Sequence, residues 1–142
     1  MTTARMSGYA TGAGPLREYY AEAERETCVI VQVESEAAVE SIPEIAAVAG
    51  VDAIFIGPSD LAASMGHLGQ PSPPDVSAAI ARAFALSAEA GVACGAISGD
   101  PGACREMIAQ GAAFVAVGTD LSVLGSALRL ALERVGSGRA DE

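Results

Sequence analysis

Residues 50–61 read GVDAIFIGPSDL. A glycine turn leads into the apolar run Ala53–Ile56, and the apolar character stops at once at Gly57-Pro58-Ser59-Asp60. A run this short and unbroken is the pattern of a strand covered on both faces in a parallel sheet. Three similar runs lie on either side: Cys28–Val33 (CVIVQV), Val92–Ile97 (VACGAI) and Phe114–Val117 (FVAV). Helical spacing fills the intervals. Val76, Ile80, Ala83, Phe84 and Ser87 form one stripe, which Gly91 stops. Asp100-Pro101 reads as a cap and first-turn proline before Cys104, Met107 and Ile108. Asp120 is expected to cap a last helix with the inner stripe Leu121, Leu124, Leu128, Ala131 and Val135. Pro43 interrupts residues 35–49, where Ser41 and Glu44 have the spacing of a capping box.

The order is β-α four times, behind an amphipathic segment near Pro15–Glu26. Such alternation predicts an α/β fold with a parallel sheet. The strand ends fall near residues 33, 57, 97 and 118. Eight units at that spacing would need a little under the roughly 250 residues of a (β/α)8 barrel. Four are present, so the chain reads as half a barrel or as a small open α/β sheet. The divisions expected are a lead-in at 1–27, a body at 28–135 and a frayed tail at 136–142. The Gly- and Pro-rich stretch Met65–Pro74 is expected as a loop at the C-terminal rim of the strands.

Composition removes several chemistries. Of 142 residues, 51% are hydrophobic, and the formal net charge is −10. Such a surface repels phosphate backbones and anionic lipid, so neither nucleic acid nor membrane is expected as a partner. All eight basic residues are arginine, so the chain offers no lysine for a Schiff base or a P-loop. His67 is the only histidine, which excludes a three-histidine metal site. Cys28, Cys94 and Cys104 form no C-x-x-C pair and read as buried thiols in a reducing compartment. No secretory or membrane-spanning apolar run is visible, and the expected location is cytoplasmic.

The strand ends carry the candidate chemistry. Gln32 and Glu34 are two residues apart and so point to the same side of a strand. Asp60 follows Glu34 by one βα unit, which brings both carboxylates to one rim. Two carboxylates with a Gln, and no His or Cys, form a hard-oxygen set suited to Mg²⁺ or Mn²⁺ with several waters. Spacing alone leaves other roles open. Asp60 could cap a short helix over Leu61–Ser64, and Glu34 could be a first-turn helix carboxylate. His67 could be a solvated loop residue or an acid–base catalyst.

The runs VIVQVES, GVDAIFIGPSDLAASMG and GAAFVAVGTDLSVL resemble the HpcH/HpaI aldolase/citrate lyase family of metal-dependent pyruvate aldolases, from about Arg5 to about Val135. The resemblance implies the C-terminal half of a TIM-type (β/α)8 barrel. It also implies a class II lyase that splits 4-hydroxy-2-oxo acids, such as 4-hydroxy-2-oxoheptanedioate or 2-dehydro-3-deoxyglucarate, into pyruvate and an aldehyde. At matched positions, Glu34 and Asp60 would bind a divalent metal, Mg²⁺ or Mn²⁺. Gln32 would be the catalytic amide that positions the keto acid, the amides of Ser59 and Asp60 would hold its carboxylate, and Ile97 would line the pocket. The sequence departs from the family in two places. Pro73-Pro74-Asp75-Val76 replaces the usual His-Pro start of the long helix. The half that would bring the enolate-stabilising arginine and a water-activating His-Asp pair is not represented, and neither Arg5 nor Arg17 matches that arginine. The expected partner is a small 2-oxo acid, and the chain is expected to form a homo-oligomer or to pair with an N-terminal half. The alternative is a truncated, non-catalytic half-barrel that needs a partner chain to fold or act.

Overall fold

The computed structural model describes residues 16–70 and 73–137. Four strands, Ile30–Val33 (β1), Ala53–Ile56 (β2), Ala93–Ile97 (β3) and Phe114–Ala116 (β4), form one parallel sheet in the order β1-β2-β3-β4. Between β1 and β2 lie α2 (Glu36–Glu40) and α3 (Ile42–Ala46); the first helix, α1, is Leu16–Glu26. Then come α4 (Pro58–Ser64), α5 (Pro74–Glu89), α6 (Pro101–Ala109) and α7 (Asp120–Ser137). The lead-in to residue 15, residues 71–72 of the rim loop, and the tail beyond 137 lie outside the described residues.

Registers are in step across the sheet. Val33 pairs with Ile56, Ile56 with Ala96, and Ala96 with Val115. Because side chains alternate along a strand, every second residue of each strand belongs to one face. One face is dry. Val33, Ile54, Ile56, Cys94 and Ala96 are buried beneath Val39, Ile42, Val76, Ile80, Ala83, Phe84 and Met107 of the helices. The other face is open at β1, where Ile30 is 48% exposed and Gln32 and Glu34 are exposed, and half-covered beyond it, where Phe55, Ile97 and Phe114 are half-buried. The expectation of strands covered on both faces therefore holds for one face of these described residues.

Several local expectations are corrected. The first strand begins at Ile30, and Cys28, expected to be buried, is exposed before it. Cys94 and Cys104 are buried, and burial raises the pKa of the Cys94 thiol and keeps it protonated. Ser41 forms no capping box, since its hydroxyl donates instead to the Ala37 carbonyl at 3.0 Å. The cap of α7 is Thr119 rather than Asp120. Its N–H donates to Ser122 Oγ at 2.9 Å, and its Oγ1 accepts from the Ser122 N–H at 3.1 Å. The helix it starts includes Gly136 and Ser137, expected as frayed tail. The stripe expected to face inward on α7 is exposed, with Leu121 at 76% and Val135 at 75%. Among the described residues, no helix is long and apolar enough to cross a membrane.

The contrast between the dry face and α7 has a measurable consequence. Ile54→Ala, at a fully buried position, should cost about 2–5 kcal/mol, whereas Leu124→Ala on α7 should change stability by no more than about 0.5 kcal/mol. Urea midpoints of the two variants would check this, and equal losses would show that α7 is packed as tightly as the sheet.

Candidate functional site

The open face of the sheet is organised in rows across the strands. The register that pairs Val33 with Ile56 and Ile56 with Ala96 brings Glu34, Gly57 and Ile97 into one row at the C-terminal rim, next to Ala116. One row deeper lie Gln32, Phe55, Gly95 and Phe114. The sequence-predicted residues Gln32, Glu34 and Ile97 therefore share a face.

Gln32 and Glu34 are joined directly, since Gln32 Nε2 donates to Glu34 Oε1 at 3.0 Å. The amide fixes one carboxylate oxygen and leaves Glu34 Oε2 outside that bond. The Glu34 side chain lies over Gly57, where a Cβ would stand only 3.1 Å from its Cγ and its Oε1. A glycine there lets the carboxylate cross onto the neighbouring strand end. The backbone then turns into α4, with Gly57 as its cap and Pro58 in its first turn. Gly57 offers no capping side chain, so the first-turn amides, including those of Ser59 and Asp60, have no partner from the cap. Ser59 and Asp60 are both exposed.

This geometry decides among the roles left open by spacing. Ser35, not Glu34, begins α2, because its Oγ accepts the Ala38 N–H at 3.2 Å. Glu34 stands before the helix, free of a first-turn role. Asp60 sits in the first turn of α4, and Gly57 occupies the cap position. His67 is a paired loop residue, its Nε2 2.7 Å from Asp75 Oδ2. Among the described residues no group of three or more His, Cys, Asp or Glu gathers as a metal set. Gln32 and Glu34 bring an amide and a carboxylate oxygen together on the open face, and Asp60 offers a second carboxylate, exposed in the first turn of α4. Such a set fits a hard divalent cation that keeps several waters.

The floor of the site escaped the sequence reading. Phe55 and Phe114 stack across β3, with centroids 5.9 Å apart and planes 17° from parallel. They can meet because the residue between them is Gly95, where a Cβ would overlap the Phe114 ring. Strand parity could have indicated this, since Phe55 is two residues before Gly57 and Gly95 two before Ile97. A separate cleft of about 570 Å³ shares only Ser59 and Ile97 with the predicted set. It opens at the C-terminal ends of β3 and β4, where Ser98 and Thr119 line it with Ile80 of α5 and Met107 of α6, and Gln32, Glu34 and Asp60 do not.

Comparison with known proteins identifies the lineage. The sequence model of the HpcH/HpaI aldolase/citrate lyase family matches residues 4–127. The chain belongs to this family. It is 46% identical over 110 residues to the 5-keto-4-deoxy-D-glucarate aldolase of Salmonella arizonae, covering 78% of this chain and 43% of that protein. The enzyme of the same name from Shigella dysenteriae serotype 1 is 44% identical over 114 residues, covering 80% of this chain and 44% of its own. The crystal structure of an HpcH/HpaI aldolase/citrate lyase family protein from Burkholderia cenocepacia J2315 superposes with a TM-score of 0.81 at 41% identity. That superposition covers 95% of this chain and 51% of the other. The chain thus spans a little under half the length of the curated relatives it matches, and its four βα units are half of a TIM-type barrel.

If Gly95 exists to let the two rings meet, Gly95→Ala must displace Phe114. The expected cost is about 1–3 kcal/mol. A lowered urea midpoint, together with loss of Phe55–Phe114 cross-peaks in an NMR spectrum, would bear this out. Retained cross-peaks would show that the ring pair does not need the glycine.

Proposed function

We propose that this chain carries the keto-acid half of a class II pyruvate aldolase site, acting in the reversible cleavage of a 4-hydroxy-2-oxo acid to pyruvate and an aldehyde. The observation that carries the reading is the Gln32–Glu34 hydrogen bond on the open face beside Gly57, at the head of the turn bearing Ser59 and Asp60. Family membership supports it, as does the name of the aldolase relatives, whose substrate is a 2-oxo sugar acid of the same class.

Each residue has a physical task in this reading. Glu34 and Asp60 would hold a divalent cation, Mg²⁺ or Mn²⁺, which when bound supplies a Lewis acid for the keto and carboxylate oxygens of the substrate. Gln32 orients Glu34 through its Nε2 and presents its amide to the keto acid. The amides of Ser59 and Asp60 bind the substrate carboxylate at the start of α4. Ile97, in the row of Glu34, offers an apolar wall, and the Phe55–Phe114 pair an apolar floor one row deeper. No lysine is needed, and the sequence has none. An arginine to neutralise the developing enolate is expected from strands outside this half. Lacking one such preorganised donor lowers a rate by about 10²–10³.

A second reading has its own support in the open face of the sheet and the exposed leucines of α7. In it the chain is a half-barrel that acts only when paired with another chain.

The test is pyruvate release from a 4-hydroxy-2-oxo acid with added Mg²⁺ or Mn²⁺. Slow turnover is expected, lowered about 10²-fold or more by Glu34→Ala and by Asp60→Ala, the range for removal of a preorganised electrostatic group. Turnover untouched by either substitution would remove the site assignment. No turnover by the chain alone, with activity appearing on addition of an N-terminal barrel half, would favour the second reading.

A further inference from the structure

His67 makes three connections at the end of α4. Its N–H donates to the Ala62 carbonyl at 2.8 Å, while the Gly66 N–H donates to the Ala63 carbonyl at 3.1 Å. With Gly66 at a φ of +86°, these two bonds form a Schellman ending, in which only a residue tolerant of the left-handed region fits the turn. The His67 carbonyl accepts the Gln70 N–H at 2.9 Å. Its ring reaches across the Gly- and Pro-rich loop to Asp75 in the first turn of α5, with Nε2 and Oδ2 2.7 Å apart. Asp75 Oδ1 in turn accepts the Val76 N–H at 3.0 Å. The hydrogen bond from His67 is the foremost reason the Asp75 carboxyl is held below its ordinary range.

A helix of seven residues is too short to be stable by itself and takes its direction from what holds its ends. At α4, Pro58, Leu61 and Ala62 are buried and fix one side. Ser59 and Asp60 are exposed in the first turn, about 7–9 Å from the Met65 C-cap along the axis at 1.5 Å per residue. A rotation permitted at the far end would therefore swing these two residues.

We propose that the His67–Asp75 pair is a clamp that ties the end of α4 to the start of α5 and thereby positions the Ser59–Asp60 turn for the keto acid. The positioning role rests on the reading of the site given above. His67 is a positioning residue and touches no substrate. Because the Schellman bonds come from the backbone, His67→Ala leaves the helix ending intact and removes only the tie to α5. His67→Gln restores a nitrogen donor of similar reach.

The experiment compares the full chain with His67→Ala and His67→Gln by amide hydrogen exchange and by pyruvate binding in the presence of Mg²⁺. Exchange at Leu61, Met65 and Gly66 should quicken about 10-fold in His67→Ala, with α6 amides unchanged, as expected for a local opening. Pyruvate affinity should fall about 5–10-fold, a modest loss typical of supporting contacts, and His67→Gln should recover most of both effects. Unchanged exchange in α4 would overturn the clamp. Faster exchange with unaltered pyruvate affinity would overturn the positioning role while leaving the site reading in place. Global acceleration of exchange without recovery by His67→Gln would show a general structural role and also overturn it. Failure of the unsubstituted chain to bind pyruvate would refute the site reading and the positioning role together, and is told apart because it precedes any substitution.

Discussion

The parallel register is the constraint on which the site depends. Because β1, β2 and β3 run in step, a residue's parity decides both its face and its row. Val33, Ile56 and Ala96 turn toward the helices and disappear into the core. Their successors Glu34, Gly57 and Ile97 form a row on the opposite side, at the rim. A shift of one residue in any strand would exchange these faces, burying a carboxylate and exposing the aliphatic core. Burial of the one set thereby holds the other in place, so the stability of the dry face and the geometry of the site are one property.

Much of this was legible from residue types. The strands are apolar and short, the intervening stripes have helical spacing, and Gln32 and Glu34 differ by two. What escaped depended on partners distant in sequence. Phe55 and Phe114 lie far apart in the chain, and their contact needs Gly95 on a strand between them. His67 and Asp75 flank a glycine- and proline-rich loop whose path no pattern specifies. Capping was misread where two hydroxyl or acidic residues compete. At the start of α7, Thr119 precedes Asp120 and takes the cap, and at Ser41 the preceding helix offers a carbonyl that captures the hydroxyl.

The open face also explains why the strand sequences read as buried on both sides. Phe55 and Phe114 are larger and more apolar than a solvated face requires, and they are only half buried. In a closed (β/α)8 barrel the inward side chains fill the interior in layers. The rows of this half are suited to such a packing, and the match to 51% of the Burkholderia structure accounts for it. The same reasoning applies to α7, whose leucines have the pattern of an inward stripe and are left exposed among the described residues.

The central proposal is that Glu34, just after β1, and Asp60, in the first turn of α4, act together as oxygen donors to one cation beside a keto-acid pocket. Titration of Mn²⁺ followed by electron paramagnetic resonance, with and without pyruvate, tests it most directly. The expected result is one bound ion per chain, held more tightly when pyruvate is present, and lost in the Glu34→Gln and Asp60→Asn double variant. Equal Mn²⁺ binding by the double variant, with no effect of pyruvate, would contradict the claim.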